Sequence, residues 1–231
     1  MTAELNSNQT IETRFTRLTG VRHPVMQEGL GPYKTVHLAA AVANAGGLGT
    51  VSIPGISEEA SAGAKILRGY IEEACALTTG VLAVNVPVGA DKSTGKVLPF
   101  SAAYVQAVVD AVRDSAIAKR LRVITTSAGA PGAARALIAD SGLIHIHKIG
   151  STAQAIRAER DGVDAVIASG YEAGGHTHSR PVHTFVLVPS VAEAVNIPVI
   201  LAGGARDGRS LAAVRFASSS IPALGKAREG P

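Results

Sequence analysis

Short runs rich in Val, Ile and Leu alternate along the chain with Ala-rich stretches whose apolar residues recur at helical spacing. Strand-length apolar runs separated by helix-period segments predict repeated βαβ units, with helices covering the faces of a parallel sheet. Seven runs read as strands, at residues 24–27, 48–52, 81–86, 122–126, 144–148, 165–169 and 198–202. Each is followed by Gly, Pro, Ser or Asn, so turn-forming residues stand where strands should stop. Residues 37–44 read as a helix ended by Gly46 and Gly47, and residues 102–118 carry apolar side chains at helical spacing. A further helix spans 151–160, with Ser151 as its N-cap and Gly162 closing it, and a shorter one spans 189–195. This pattern fits both a (β/α) barrel and a doubly wound open sheet, and periodicity alone does not choose between them.

Length and composition favour one domain of this class. The chain has 231 residues, against about 250 in an α/β barrel. It is 46% hydrophobic and 17% charged with 25 glycines, a mix that suits parallel strands buried on both faces and excludes a disordered chain. Aromatic residues make up 3% and Trp is absent, which leaves no stacking platform for nucleic acid and no membrane-interface belt. The net charge of +4 is spread out; its densest group, Lys119, Arg120 and Arg122, is short, so the surface is mildly cationic and favours anionic ligands. The single cysteine, Cys75, excludes an internal disulfide and lies in the helix-like run 68–77, as a structural thiol would. Residues 1–13 are polar without the order of a secretory signal, and no apolar run is long enough to span a bilayer, so the expectation is a cytoplasmic protein.

In either parallel architecture ligands bind at the carboxyl ends of the strands. The positions after the apolar runs are polar here: Gln27, Glu28, Asn85, residues 125–127, His147, Lys148, residues 172–176, Gly203 and Gly204. The stretch from Ile200 through Gly203 and Gly204 to Ser210 reads as strand, glycine turn and helix start. Glycines there let backbone N–H groups approach a phosphate, and a helix N-terminus adds positive potential. Tyr171-Glu-Ala-Gly-Gly-His176 follows the run 165–169 directly and places an imidazole behind Gly174 and Gly175. Such an imidazole suits general-base work, because histidine titrates near neutral pH. His145 and His147 alternate on the preceding strand and share one face. Together with His176 and His178 they raise a zinc-hydrolase reading. That set offers no carboxylate beyond Glu172 and Asp164, and paired strand histidines are commonly just hydrogen-bonded, so no metal is assigned.

A series of linked motifs makes the reading more specific. It opens with His23-Pro-Val-Met-Gln-Glu-Gly-Leu-Gly31 and Leu38-Ala-Ala-Ala-Val-Ala-Asn-Ala-Gly-Gly-Leu-Gly49. Val84-Asn85-Val86, His147-Lys148, Glu172-Ala-Gly-Gly-His176, Thr184-Phe-Val-Leu-Val-Pro189 and Ala202-Gly-Gly-Ala-Arg-Asp-Gly208 follow in order. Over residues 14–214 the chain resembles the nitronate monooxygenases, formerly known as 2-nitropropane dioxygenases. The resemblance implies an α/β fold of the (β/α)8 TIM-barrel type, here incomplete with about seven strands, and a flavoprotein carrying FMN at the strand ends. It implies flavin contacts at Gln27, Asn85, Gly174, Gly175 and Gly204, the FMN phosphate near the Gly203–Gly204 turn, and Lys148 close to the flavin. Ser169 stands where the family often has a flavin-touching glutamine. His176 matches the histidine assigned to proton abstraction or nitronate steering, and His147 is a second catalytic candidate.

The implied reaction is monooxygenase chemistry, in which an alkyl nitronate passes electrons to FMN, O2 takes them up, and a carbonyl compound and nitrite result. The expected partners are that small-molecule substrate and O2, with no nucleic acid and no membrane, and with homo-oligomerisation left open. The alternative is a related FMN-dependent NAD(P)H reductase of enoyl-acyl-carrier-protein or quinones. Residues 177–183 depart from the family's glycine-bearing loop, and residues 215–231 contain no eighth strand. The expected organisation is thus a lead-in at 1–20, a partial FMN-binding barrel at 21–214 and an atypical tail at 215–231, as in a C-terminally truncated family member. Such a chain is expected to expose sheet edges and hold FMN weakly, and an inactive remnant is a further alternative.

Overall fold

The computed structural model describes residues 10–55, 59–89, 91, 93–176 and 178–219. Contacts divide the chain into two compact units, one ending at Ile146 and the other beginning at His147. The first holds α1 (Arg14–Thr19), α2 (Val36–Asn44), β1 (Gly49–Ser52), α3 (Ala60–Leu77), β2 (Leu82–Pro87), α4 (Pro99–Ala111), α5 (Ser115–Ala118), β3 (Leu121–Ser127) and α6 (Gly132–Ile138). The strand β4 (Ile144–Ile149) crosses the division. The second unit holds α7 (Thr152–Arg160), β5 (Ala165–Ser169), α8 (Thr184–Ala194), β6 (Val199–Ala202) and α9 (Gly208–Ser219).

In the first unit β1 pairs with β2 and β2 with β3, all parallel, with Ser52 opposite Asn85 and Asn85 opposite Thr125 at their carboxyl ends. Leu82, Ala83, Val84 and Val86 of β2 are all buried, as expected of a strand covered on both faces. The helices supply the cover through Val36 and Ala39 of α2, Leu67 and Ile71 of α3, and Tyr104, Val105 and Val108 of α4. Burying a side chain the size of Leu67 or Ile71 contributes about 1.5–3 kcal/mol. The contacts of α2 with β1 and with the turn before β2 are backbone ones, since a Cβ on Gly49 would overlap the carbonyl oxygen of Ala39 and one on Gly80 that of Ala43.

In the second unit β5 is buried throughout and pairs in parallel with β6, Ser169 standing opposite Ala202. Its core joins Ile149, Ala155 and Ala158 to Val166, Leu187, Val188 and Val191. Glu159 of α7 accepts the amides of Asn196 (2.6 Å) and Ile197 (3.2 Å), fixing the turn that leads into β6.

The parallel α/β fold is the expected one, with departures that have local causes. The expected strand at 24–27 is a single parallel bridge between Met26 and Leu48, flanked by the Gln27 N–H to Leu48 O and Leu48 N–H to Val25 O bonds. Pro24 has no N–H to extend the ladder, so six strands and one bridge are present among the described residues. The helix expected at 102–118 is two, because Asp114 accepts the Ala116 amide and caps a new start at α5. The helix expected from 189 begins at Thr184, with Pro189 in its interior. Ser151 does cap α7, accepting from the Gln154 amide. Helices α1 and α6 were not expected, and α9 runs past residue 215 to Ser219. The remainder of the expected tail and the first residues of the lead-in lie outside the described residues. Among the described residues no helix is long and apolar enough to cross a membrane.

Candidate active site

In the first unit the strand ends carry a tied polar row. Asn85 Nδ2 donates to Thr125 Oγ1 at 2.9 Å, and Ser52 Oγ accepts the Leu30 amide at 2.8 Å. The chain from Gln27 to Gly31 is thereby drawn over β1 and β2; a Cβ on Gly29 would lie 2.5 Å from Asn85 Cβ, so only glycine fits. Gln27 is half-buried and its side chain is engaged: Nε2 donates to the Thr50 carbonyl at 2.9 Å, and Oε1 accepts the Thr50 amide at 3.4 Å. One residue along β3 the other face begins, and buried Thr126 hydrogen-bonds His145 Nε2 at 2.7 Å.

In the second unit β5 ends at Ser169, which is 5% exposed. Its Oγ is buried and makes no hydrogen bond among the described residues. Buried hydroxyls are nearly always paired, so this one stands ready for a ligand atom or a water. The segment after it is clamped at its base. Tyr171 N–H donates to the Val182 carbonyl (2.9 Å) and Ala173 N–H to that of Gly170 (3.1 Å). The Glu172 carboxylate accepts from the Thr184 amide (2.9 Å), the Thr184 hydroxyl (2.7 Å) and His183 Nδ1 (2.8 Å). The Thr184 amide foremost, then His183, holds the Glu172 carboxyl at about 2, below its ordinary value. Beyond this base Gly174 and Gly175 have open space where a side chain would stand, and His176 is exposed.

The glycine turn after β6 meets the same segment. Gly203 has φ +103°, and a Cβ there would lie 2.6 Å from the Ala173 nitrogen; Gly204 has φ +76°. The start of α9 is already occupied, because Asp207 Oδ1 accepts the Arg209 and Ser210 amides at 3.0 Å each. The positive helix end expected behind this turn is thus met by the chain's own carboxylate, and an anion here has the amides of the turn itself.

His147 is buried and Lys148 half-buried, next to each other on β4. His178 packs on Gly150 and accepts the Arg180 amide at Nδ1 (3.2 Å). Among the described residues no group of three or more His, Cys, Asp or Glu is arranged to hold a metal ion, so the zinc reading of the four histidines gains nothing. Cys75 packs against the first unit's core, and burial above all raises its thiol pKa, as for a structural thiol.

Parallel strands alternating with helices, and polar groups gathered at strand carboxyl ends, define the class of parallel α/β proteins that bind ligands at their strand ends. Within it the chain belongs to the nitronate monooxygenase family, whose model matches residues 12–221. It is 34% identical over 216 residues to a (3aS,4S,5R,7aS)-5-hydroxy-7a-methyl-1-oxo-octahydro-1H-indene-4-carboxyl-CoA dehydrogenase of Rhodococcus jostii, covering 94% of this chain and 54% of that protein. It is 33% identical to a probable nitronate monooxygenase of Staphylococcus saprophyticus, over 88% of this chain and 64% of that one. The solved structure of FabK from Thermotoga maritima superposes with a TM-score of 0.75 at 34% identity, over 90% of this chain and 60% of that chain. The chain therefore spans a little over half to under two-thirds of the length of these three proteins.

Proposed function

We propose that the chain is the FMN-binding portion of an oxidoreductase that oxidises alkyl nitronates. The observation that carries this is the buried, unpaired Ser169 hydroxyl at a strand end, in a chain matched by the nitronate monooxygenase model. An unpaired buried hydroxyl and open glycine backbone at residues 174 and 175 suit a planar group with a hydrogen-bonding edge, and the Gly203–Gly204 turn offers amides to a phosphate. FMN, when bound, supplies the site that takes electrons from the substrate. Ser169 would hydrogen-bond the flavin edge, Gly174 and Gly175 would let the backbone approach it, and the Gly203–Gly204 amides would receive the phosphate. The family motif also assigns flavin contacts to Gln27 and Asn85; Gln27 is engaged through its side chain with Thr50 and through its backbone with Leu48 and the Thr50 hydroxyl. Lys148 offers a cation to the anionic substrate. His176 hydrogen-bonds and orients the anionic oxygens of the nitronate, whose carbon proton is already gone, and His147, being buried, is the second candidate for that role.

The test is spectroscopic. The FMN-loaded chain mixed anaerobically with propyl nitronate should lose its flavin absorbance without NADH. His176→Asn should slow this by about 10- to 100-fold at unchanged flavin content, the loss expected when a substrate-orienting group is removed. Unchanged bleaching in the variant would move the role to His147. The identity to the Rhodococcus dehydrogenase favours one second reading, in which the physiological electron exchange is with a nicotinamide cofactor. Bleaching by NADH and not by nitronate would establish that reading instead.

A further inference from the structure

The Glu172 carboxylate is conspicuous because it forms no part of the chemistry proposed above, yet its two oxygens take three hydrogen bonds from the first residues of α8. It sits four residues before His176, on the same segment. We propose that Glu172 is the positioning residue for His176: it anchors the base of the 171–176 segment to the start of α8, and leaves Gly174 and Gly175 as the hinge on which the imidazole swings. This rests on the proposed role of His176.

Three independent contacts converge on the base of the segment. Tyr171 is tied to Val182, and its ring meets that of His183, the residue that donates to Glu172, in a tilted contact with centroids 5.1 Å apart. Ala173 is tied back to Gly170, and Gly170 itself admits no side chain because a Cβ would overlap Thr184 Oγ1. From the other side the Gly203 Cα lies against the Ala173 backbone. Past Ala173 the constraints stop, since neither Gly174 nor Gly175 has a neighbour within 4 Å of a Cβ position. A rigid base followed by two unhindered glycines confines the motion of His176 to a short arc, and orienting the substrate needs hydrogen-bond reach of one particular atom. The carboxylate also faces the positive end of α8, where a negative charge is favourable.

The experiment is a double-mutant cycle on the full chain loaded with FMN, with Glu172→Ala and His176→Asn read by anaerobic flavin bleaching with propyl nitronate. Glu172→Ala should lower the rate at saturating nitronate at least ten-fold, with KM and flavin content unchanged, and should add no further loss in the His176→Asn background. Wild-type turnover, loss of flavin, or the same fold-loss repeated in that background would overturn the assignment. Full turnover by His176→Asn would instead sink the reading of His176. The anchor is then still read from the protein itself: amide exchange at Thr184 and at Tyr171, whose N–H is tied to Val182, should quicken in Glu172→Ala and return toward normal in Glu172→Gln. Unchanged exchange in the alanine variant would show that Glu172 holds nothing.

Discussion

Replacing Gly203 by alanine tests whether the glycine turn after β6 and the His176-bearing segment are built as one piece. Two costs combine. The residue has φ +103°, a conformation that side-chain-bearing residues rarely adopt, and such strain costs about 1–3 kcal/mol. The added Cβ would also lie 2.6 Å from Ala173 N and 3.0 Å from Ala173 Cα and Glu172 C. These are backbone atoms that cannot rotate away, and overpacking of this kind costs about another 1–3 kcal/mol. The sum, about 2–6 kcal/mol, is a large part of an ordinary margin of about 5–15 kcal/mol. For a chain of this size each kcal/mol moves Tm by about 2–4 °C, so Gly203→Ala should melt roughly 5–20 °C lower by circular dichroism. Gly208→Ala is the matched control, because that Cβ enters open space in the first turn of α9 and should stabilise by about 0.4–1 kcal/mol. A Gly203→Ala variant that melts with the wild type, or a Gly208→Ala variant that falls equally far, would refute the reasoning.

Ser169→Ala should leave the flavin-free chain as stable as before or slightly more so, because the hydroxyl makes no hydrogen bond to lose, while weakening FMN binding by about ten-fold, the worth of one good hydrogen bond. A variant with clearly reduced stability and unchanged FMN affinity would place Ser169 in the scaffold instead. Glu172 carries a pH prediction: its carboxyl is depressed to about 2 from an ordinary 4.5, so its contribution is complete above about 4.5 and is lost as pH falls through about 2. His183 is the titratable group in contact with it, and a carboxyl-carbon titration followed by NMR should give a Glu172 midpoint well below 4.5; a midpoint at or above 4.5 would contradict the hydrogen-bond set.

Much of the fold was legible because buried parallel strands are marked twice, by apolar runs and by turn residues at their ends. Six of the seven runs became strands within a residue or so of their expected bounds. What escaped depended on partners distant in sequence. Helix α8 starts at Thr184 because Glu172, twelve residues earlier, satisfies its first amide, whereas local reading saw only Pro189 as a natural first helical residue. The break between α4 and α5 did have a local mark, the Asp114 cap, which the continuous apolar period concealed. Helix α1 is held by a reciprocal Thr13 and Thr16 box, and Thr at that third position is a weaker signal than Glu or Gln. At the site, residue types and strand ends were readable. The engagement of Gln27 with Thr50, the unpaired Ser169 hydroxyl and the occupation of the α9 amides by Asp207 were not, since each depends on where a side chain finds its partner in space.

The backbone contacts that α2 makes with β1 and with the turn before β2 bear on how this chain can vary over generations. Every codon for glycine lies one base from codons that all specify residues with a Cβ, apart from silent changes and stops. At Gly49 and Gly80 that first carbon already overlaps a helix carbonyl, so no missense change at either position is free, however small or polar the newcomer. In a saturation library selected for folded protein these two sites should be nearly monomorphic, whereas Gly69 and Gly95, with no atom near a Cβ position, should differ in what they tolerate. Gly69 should accept a broad range. Gly95, held at φ +69°, should admit mainly asparagine and aspartate, so inheritance at that site would be filtered by backbone conformation rather than by space.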